Sequence, residues 1–507
     1  MGYLSEQVAA TLAGPPEAPA IQFKGRWTTW GDVAAIVRGL DDVLETLNLG
    51  EGAAVGCALR NAPLHAAAMI GVVAGGRCLV TFNALTPDDK LAADVAAARA
   101  PVMVAAAEDW SREAFRAAVH ELGAAGVSLT GDPARPVELV PGLETVGPGP
   151  HQPAQPDVAI LMLTSGTTGT PKRVPLKLSV LERQLIEAAG GQRHGSAGEA
   201  APILAASVGI MSGSLVHIGG VWGVLGPAMA GRATCMLERF SVADWRAAIV
   251  EHRPKASGAP PAALRMILDA DIPKEDLSSL VTMGAGTAAL DPAIVDEFLA
   301  RYDLPVLSNY GATEFAGGVA SWSYRAFRDH WTSKRGAVGR VHKGIEARVV
   351  DPETDAVLPF GSEGVLELKG FAAGDGESWI RTTDRAVLDA DRFLWIHGRI
   401  DNAINRGGFK VQPDDVVAAL EQHPAVREAS VVGLPDRRLG EAPAAAVVLR
   451  AGAEPPGEAE LKAWVRDRLI AYCVPTAIRF VDELPRTPSM KVSIPAVREL
   501  FDEGPSA

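Results

Sequence analysis

The sequence predicts an α/β protein with two parts. Residues 1–400 read as a large N-terminal α/β domain built on several sheets, and residues 401–507 as a small C-terminal α+β domain. Three observations lead there. Short apolar runs, AAVGCAL at 53–59, VMVAAA at 102–107, VAILML at 158–163 and SLVTMG at 279–284, alternate with helical patterns such as 30–47 and 293–302. That alternation is expected of mainly parallel sheets, because parallel neighbours need a crossover between them. After Asp401 the pattern restarts compactly: a helix (DDVVAALEQH), two strands (EASVVGL, AAAVVL), a helix (EAELKAWVRDRL) and a strand (AIRFV). Finally, 507 residues at roughly 150 per domain bound the chain at about three domains, of which large α/β folds often merge two.

Composition narrows the function. The chain is 48% hydrophobic and 21% charged, which excludes a disordered polymer. Its formal net charge of −13 disfavours duplex nucleic acid as main partner, although a local basic patch can still hold a small polyanion. Cys57, Cys78, Cys235 and Cys473 lack zinc-motif spacing, and few, scattered cysteines fit a reducing, cytoplasmic setting. The first residues show no basic segment followed by an apolar run. Residues 201–231 contain no Asp, Glu, Lys or Arg, long enough to span a bilayer. Seven glycines, prolines near both ends and a central His217 make that stretch read as buried strand, loop and helix, with no membrane span.

Four short motifs carry chemistry. TSGTTGTPK at 164–172 follows an apolar strand and offers Gly166 and Gly169 for a tight turn, the hydroxyls of Thr164, Ser165, Thr167 and Thr168, and Lys172. Glycines let backbone N–H groups converge on an anion, and hydroxyls and a lysine add donors and charge, so the loop suits a polyphosphate. It is not a Walker loop, because Thr170 and Pro171 separate Gly169 from Lys172. NYGATE at 309–314 offers an aromatic face on Tyr310, a turn at Gly311, a hydroxyl on Thr313 and a hard oxygen ligand on Glu314. RTTD at 381–384 with HGRID at 397–401 supplies Asp384 and Arg399, a carboxylate and a guanidinium able to grip vicinal hydroxyls. PRTPSMK at 485–491 ends in Lys491, suited to developing negative charge. Neither G-x-S-x-G nor H-E-x-x-H is present, which removes the common serine-hydrolase and zinc-peptidase signatures.

In this order and spacing the motifs, with NRGGFKV at 405–411, resemble the adenylate-forming superfamily, most closely its acyl-CoA synthetases, from about Trp30 to Lys491. The resemblance implies the adenylate-forming fold with a mobile C-terminal domain. It also implies an acid–thiol ligase reaction: a carboxylate attacks the α-phosphorus of ATP, pyrophosphate leaves, and coenzyme A displaces AMP. It implies that Thr164, Ser165, Gly166, Thr167, Thr168, Gly169 and Lys172 hold the phosphates. Tyr310, with Gly284, Ala285, Gly286, Asn309, Gly311 and Ala312, would form the adenine slot, and Thr313 would touch the α-phosphate. Glu314 would carry Mg²⁺, Asp384 and Arg399 would hold the ribose, and Lys491 would serve adenylation. Asp401 is the expected hinge, and Gly407, Gly408 and Phe409 the expected lining of the pantetheine tunnel. His217 is expected to gate the acid, beside Gly219, Gly220 and Trp222. The chain departs from the family pattern at Thr383 and Met490, both commonly glycine there.

The acid pocket reads as roomy and mostly apolar. No Asp stands between residues 201 and 243 to hold an ammonium, so a fatty, aryl or alicyclic acid is expected rather than an amino acid. Coenzyme A is the expected acceptor, with delivery to a separate carrier protein as the alternative. A nucleotide-binding protein without catalysis is a third reading, disfavoured because binding alone would not need Glu314, Asp384 and Lys491 together. Oligomeric state is not legible.

Overall fold

The computed structural model describes residues 2–164, 172–191, 207–312, 315, 317–371, 376–406, 409–436, 439–487 and 490–502. The chain divides into two compact units: 1–286 with 290–333, and 287–289 with 334–507. The boundary expected near residue 400 falls within the second.

The first unit is built on sheets whose interior strands are parallel. Its largest sheet runs, across the sheet, Val137–Leu139, Ala125–Leu129, Val102–Ala106, Ala54–Leu59, Cys78–Asn83, Val158–Thr164 and Lys172–Lys177. Only the pairings at its two edges are antiparallel. Every residue of Ala54–Leu59 is buried, which is why that strand reads as an unbroken apolar run. The helix Trp30–Thr46 buries a stripe of Trp30, Val33, Ile36, Leu40 and Leu44 in the core, packing on the helix Pro63–Ala74 and the edge strand Val137–Leu139. A capping box fixes its start: the Asp32 N–H donates to Thr29 Oγ1 at 3.1 Å, and the Thr29 N–H donates to Asp32 Oδ2 at 2.9 Å.

A four-stranded sheet in the same unit orders Gly209–Met211, Thr234–Met236, Pro19–Phe23 and Arg26–Thr29, the first three parallel. A further set orders Ala256–Gly258, Thr282–Ala285 and Val306–Ala312 in parallel, followed by Gly317–Ser321 antiparallel. The charge-free stretch resolves into the strand Gly209–Met211 and the 13-residue helix Ile218–Ala230. Among the described residues no helix is long and apolar enough to cross a membrane.

The second unit is mostly antiparallel, in contrast to the parallel expectation. Phe393–Arg399, Ile380–Leu388, Glu363–Gly370 and Ile345–Val350 form an antiparallel meander. The expected C-terminal module follows, with helices Pro413–Glu421 and Glu458–Arg466. Its strands Val426–Asp436 and Gly440–Leu449 pair antiparallel, and Ala477–Phe480 lies parallel to the latter. Val416, Leu420, Val431, Val447, Leu461 and Val465 form its core.

The cysteines follow this burial. Cys57, Cys78 and Cys235 are buried and Cys473 is partly exposed. Burial pushes the Cys57 thiol up, the Cys78 thiol to about 12 and the Cys235 thiol to about 11, so little thiolate exists on any of them near neutrality. Iodoacetamide at pH 8 should therefore label native protein first at Cys473, at least about tenfold faster than the other three, with all four labelled in urea. Peptide mapping by mass spectrometry reads the sites, and native labelling of Cys57 at a rate equal to Cys473 would contradict the buried placement.

Candidate active site

The glycine- and threonine-rich loop joins two paired strands. Val158–Thr164 and Lys172–Lys177 pair antiparallel, with Thr164 opposite Lys172 as the last register pair. The connection between them, 165–171, carries Ser165, Gly166, Thr167, Thr168 and Gly169 and lies outside the described residues. Arg173, next in sequence, donates to the Thr81 carbonyl at 2.8 Å and to Asp94 Oδ1 at 2.7 Å, and lies over the Phe82 ring. Burial raises the Asp94 carboxyl against the pull of Arg173. The base of the loop is thus tied to the neighbouring strand.

Gly284 and Ala285 end the strand Thr282–Ala285, and Asn309, Tyr310, Gly311 and Ala312 end the adjacent Val306–Ala312. Ala285 pairs with Ser308, and a Cβ on Gly286 would stand 3.4 Å from the Asn309 carbonyl oxygen. These residues therefore cluster at the carboxyl ends of parallel strands, where α/β sheets place ligands. Two glycines are demanded by close approach. A Cβ at Gly311 would lie 2.0 Å from the Gly317 carbonyl oxygen, and one at Gly318 would lie 2.2 Å from Asn309 Oδ1. Thr313 and Glu314, next in sequence after Ala312, lie outside the described residues.

The segment expected to receive the acid reaches the same place. His217 caps the helix Ile218–Ala230 through its backbone: its carbonyl accepts from Gly220 N at 2.9 Å and Val221 N at 3.1 Å, and its N–H donates to the Ser214 carbonyl at 3.0 Å. Gly220 is required there, since a Cβ would lie 2.1 Å from the Ser214 oxygen, whereas at Gly219 one would meet nothing within 4 Å. Trp222 lies against Gly317, whose Cβ position is 2.9 Å from the indole. Sequence reasoning missed Gln184, which is 3% exposed and donates from Nε2 to the Phe315 carbonyl at 3.4 Å and the Gly318 carbonyl at 3.1 Å. The available signal was an amide sharing a helix face with the buried Leu181 and Leu185.

In the second unit Asp384 and Arg399 stand opposite each other on adjacent antiparallel strands. Thr383, where the resemblance expects glycine, has a use: its Oγ1 accepts from Arg399 Nη2 at 2.5 Å. Thr382 Oγ1 accepts from the Asp384 N–H at 3.1 Å and donates to the Leu366 carbonyl at 2.9 Å. Next to Arg399, Gly398 has φ +112°, and an added Cβ would strike the Asp414 carboxylate. Asp414 accepts the Arg399 backbone N–H, and burial raises its carboxyl.

Asp401 lies in the short 3₁₀ turn Ile400–Asn402, which leads into the strand Ile404–Arg406. Gly407 and Gly408 lie outside the described residues. Phe409 is 58% exposed and stacks on Tyr472 with centroids 4.9 Å apart. Lys491 is exposed at the end of a turn closed by Met490 N donating to the Thr487 carbonyl at 2.9 Å and Thr487 N donating to the Lys491 carbonyl at 2.8 Å. Arg486 braces that turn by donating to the Met490 carbonyl at 3.0 Å and pairing with Glu428. Gly284, Ala285, Gly286, 309–312, His217 and Trp222 thus belong to the first unit, and Asp384, Arg399, Asp401, Phe409 and Lys491 to the second.

Met490 has φ +65°, the left-handed conformation that glycine adopts freely. The resemblance expected glycine there, and the backbone has kept glycine's geometry. For a non-glycine residue that conformation costs about 1–2 kcal/mol. Met490→Gly should hold stability within about 0.5 kcal/mol, strain relief offsetting the entropy glycine adds to the unfolded chain. Met490→Val should lower it by about 1–2 kcal/mol, because a β-branched residue tolerates positive φ worst. Urea unfolding of the two variants decides this, and equal midpoints would contradict it.

Comparison with known proteins agrees with this geometry. The family model for AMP-binding enzymes matches residues 8–376, and the model for the AMP-binding enzyme C-terminal domain matches 416–491. The chain is 28% identical over 94% of its length to 4-coumarate–CoA ligase-like 9 of Oryza sativa subsp. japonica, covering 88% of that protein. It is 29% identical to the sulfoacetate–CoA ligase of Cupriavidus necator, over 96% of each. Among solved structures, ATP-bound MatB from Rhodopseudomonas palustris superposes with a TM-score of 0.81 at 23% identity, covering 98% of this chain and 99% of that one. The paired strands Val158–Thr164 and Lys172–Lys177 and the glycine-pressed strand pair Val306–Ala312 and Gly317–Ser321 stand within the matched span 8–376, more than two thirds of the chain, and the chain belongs to the AMP-binding enzyme family.

Proposed function

We propose that the protein is an ATP-dependent carboxylate–CoA ligase that makes an acyl adenylate and then an acyl-CoA. The observation that carries this reading is near-full-length similarity to proteins named as CoA ligases, 29% identity over 96% of both chains in one case. In the first half-reaction a carboxylate oxygen attacks the α-phosphorus, the bond to the β-phosphate oxygen breaks, and pyrophosphate leaves. In the second the CoA sulfur attacks the acyl carbon, the bond to the AMP oxygen breaks, and the thiol proton passes to solvent.

The residues divide the work by position. The loop at 164–172 holds the β- and γ-phosphates, with Lys172 as counter-charge. Tyr310 lies against adenine at the strand ends that Gly311 and Gly318 bring together. Asp384 accepts from the ribose hydroxyls while Arg399, steadied by Thr383, donates to them. Thr313 and Glu314 stand at the α-phosphate. Glu314 would hold Mg²⁺ through its hard carboxylate oxygens. The ion would supply neutralisation of the phosphate charge there. Lys491 stabilises charge building on the carboxylate and α-phosphate oxygens during adenylation. Residues 401–507 act as a domain that turns about Asp401 between half-reactions, a reading supported by the separate family model over 416–491. His217, Gly219, Gly220 and Trp222 border the pocket for a fatty, aryl or alicyclic acid.

The test is mass spectrometry of the protein with ATP, Mg²⁺ and a panel of aliphatic, aromatic and polycyclic acids, with and without CoA. An acyl-CoA formed only when CoA is present is expected. Acyl-AMP in both reactions without thioester would redirect the second step to a carrier protein. Lys491→Ala should reduce acyl-AMP formation by about 100-fold or more, with much less effect on thioester formation from preformed acyl-AMP. Equal loss of both would contradict a lysine that serves adenylation alone.

A further inference from the structure

The strands Gly209–Met211 and Thr234–Met236 are parallel neighbours, and their ladder ends where Leu237 N donates to the Met211 carbonyl at 2.8 Å. Beyond that rung the two chains part, and one of them becomes the loop that leads to His217. The polar groups left over are met by one side chain from elsewhere in the unit. Asn61 sits at the corner between the strand Ala54–Leu59 and the helix Pro63–Ala74 and is 8% exposed. Its Nδ2 donates to the Gly213 carbonyl and to the Leu237 carbonyl, both at 3.0 Å, and its Oδ1 accepts from Leu215 N at 3.0 Å.

Both donors and an acceptor of one amide are spent on main chain, and the pattern fixes which way the amide faces. Only asparagine combines this reach with two donors and an acceptor. An ionised aspartate would turn lone pairs toward two carbonyls. The points it holds bracket the loop: Leu215 and Val216 are buried, Ser214 accepts the His217 N–H, and Gly220 fits against the Ser214 oxygen. With residues 213 and 215 fixed, little freedom is left for the chain entering His217.

We propose that Asn61 is a positioning residue of the carboxylic-acid pocket, fixing the 213–217 loop and through it the place of His217 and the choice of acid. This rests on the reading of His217 as a neighbour of the acid, and Asn61 itself touches no substrate. A buried amide whose loss leaves two carbonyls and an N–H without partners carries a cost that falls on this loop first.

The test uses the full-length protein and its Asn61→Ala and Asn61→Asp variants, with Asn61→Thr, whose hydroxyl keeps one bond, should neither accumulate. Hydrogen–deuterium exchange is followed in peptides covering 211–222 and 282–308. Acid-dependent pyrophosphate release is measured with 4-coumarate, benzoate, cyclohexanecarboxylate and hexanoate. Faster exchange is expected in 211–222 but not in 282–308. KM for the best of the four acids should rise at least about tenfold while KM for ATP stays within about twofold, and the ranking of the acids should change. Unchanged exchange in 211–222 overturns the proposal, as does a parallel rise in both KM values or a loss of thermal stability with neither KM altered. If the unsubstituted protein releases no pyrophosphate with any acid, the adenylation reading fails, and exchange in 211–222 still decides whether Asn61 holds the loop.

Discussion

The close approach of two strands, Val306–Ala312 and Gly317–Ser321, is the constraint on which the rest of the first unit's site depends. Gly311 abuts the Gly317 carbonyl and Gly318 lies under the Asn309 amide, with no room at either for a methyl group. Trp222 and Gln184 then close on Gly317 from two helices. The ends of the parallel strands, Trp222 and Gln184 meet at these glycines because backbone meets backbone.

Buried amides supply the second organising element. Gln184 satisfies two carbonyls around residues 315–318, and Asn61 satisfies two carbonyls and an N–H around residues 213–237. Both act where a regular ladder stops and main-chain groups remain buried. Leaving such groups unpaired costs about 1–3 kcal/mol each, so a single amide contributes more to loop placement than its size suggests.

The two departures from the family pattern have different physical characters. Thr383 adds a hydroxyl that Arg399 uses, so the side chain is integrated into the Asp384–Arg399 register pair. Met490 adds a side chain to a backbone that remains left-handed, so the turn before Lys491 keeps its shape against strain. The bracing from Arg486 and Thr487 shows how: both ends of the turn are bonded to side chain and main chain.

The sequence by itself determined the α/β class, the order of elements and the identity of the motif residues, because each is written in local periodicity and in short runs of glycine, hydroxyl and charge. The strands at 53–59, 102–107 and 158–163 stand as read, since a fully buried parallel strand needs an apolar run and has little alternative. The antiparallel meander of the second unit was not legible, because its half-buried strands mix apolar and polar residues without a long uniform run. Only the tertiary structure decided that Asp384 faces Arg399, that Trp222 rests on Gly317, and that Asn61 and Gln184 serve loops more than 130 residues away. Periodicity records which face of an element is buried. It does not record which distant carbonyl a buried amide meets, because that partner is chosen by how the sheets pack.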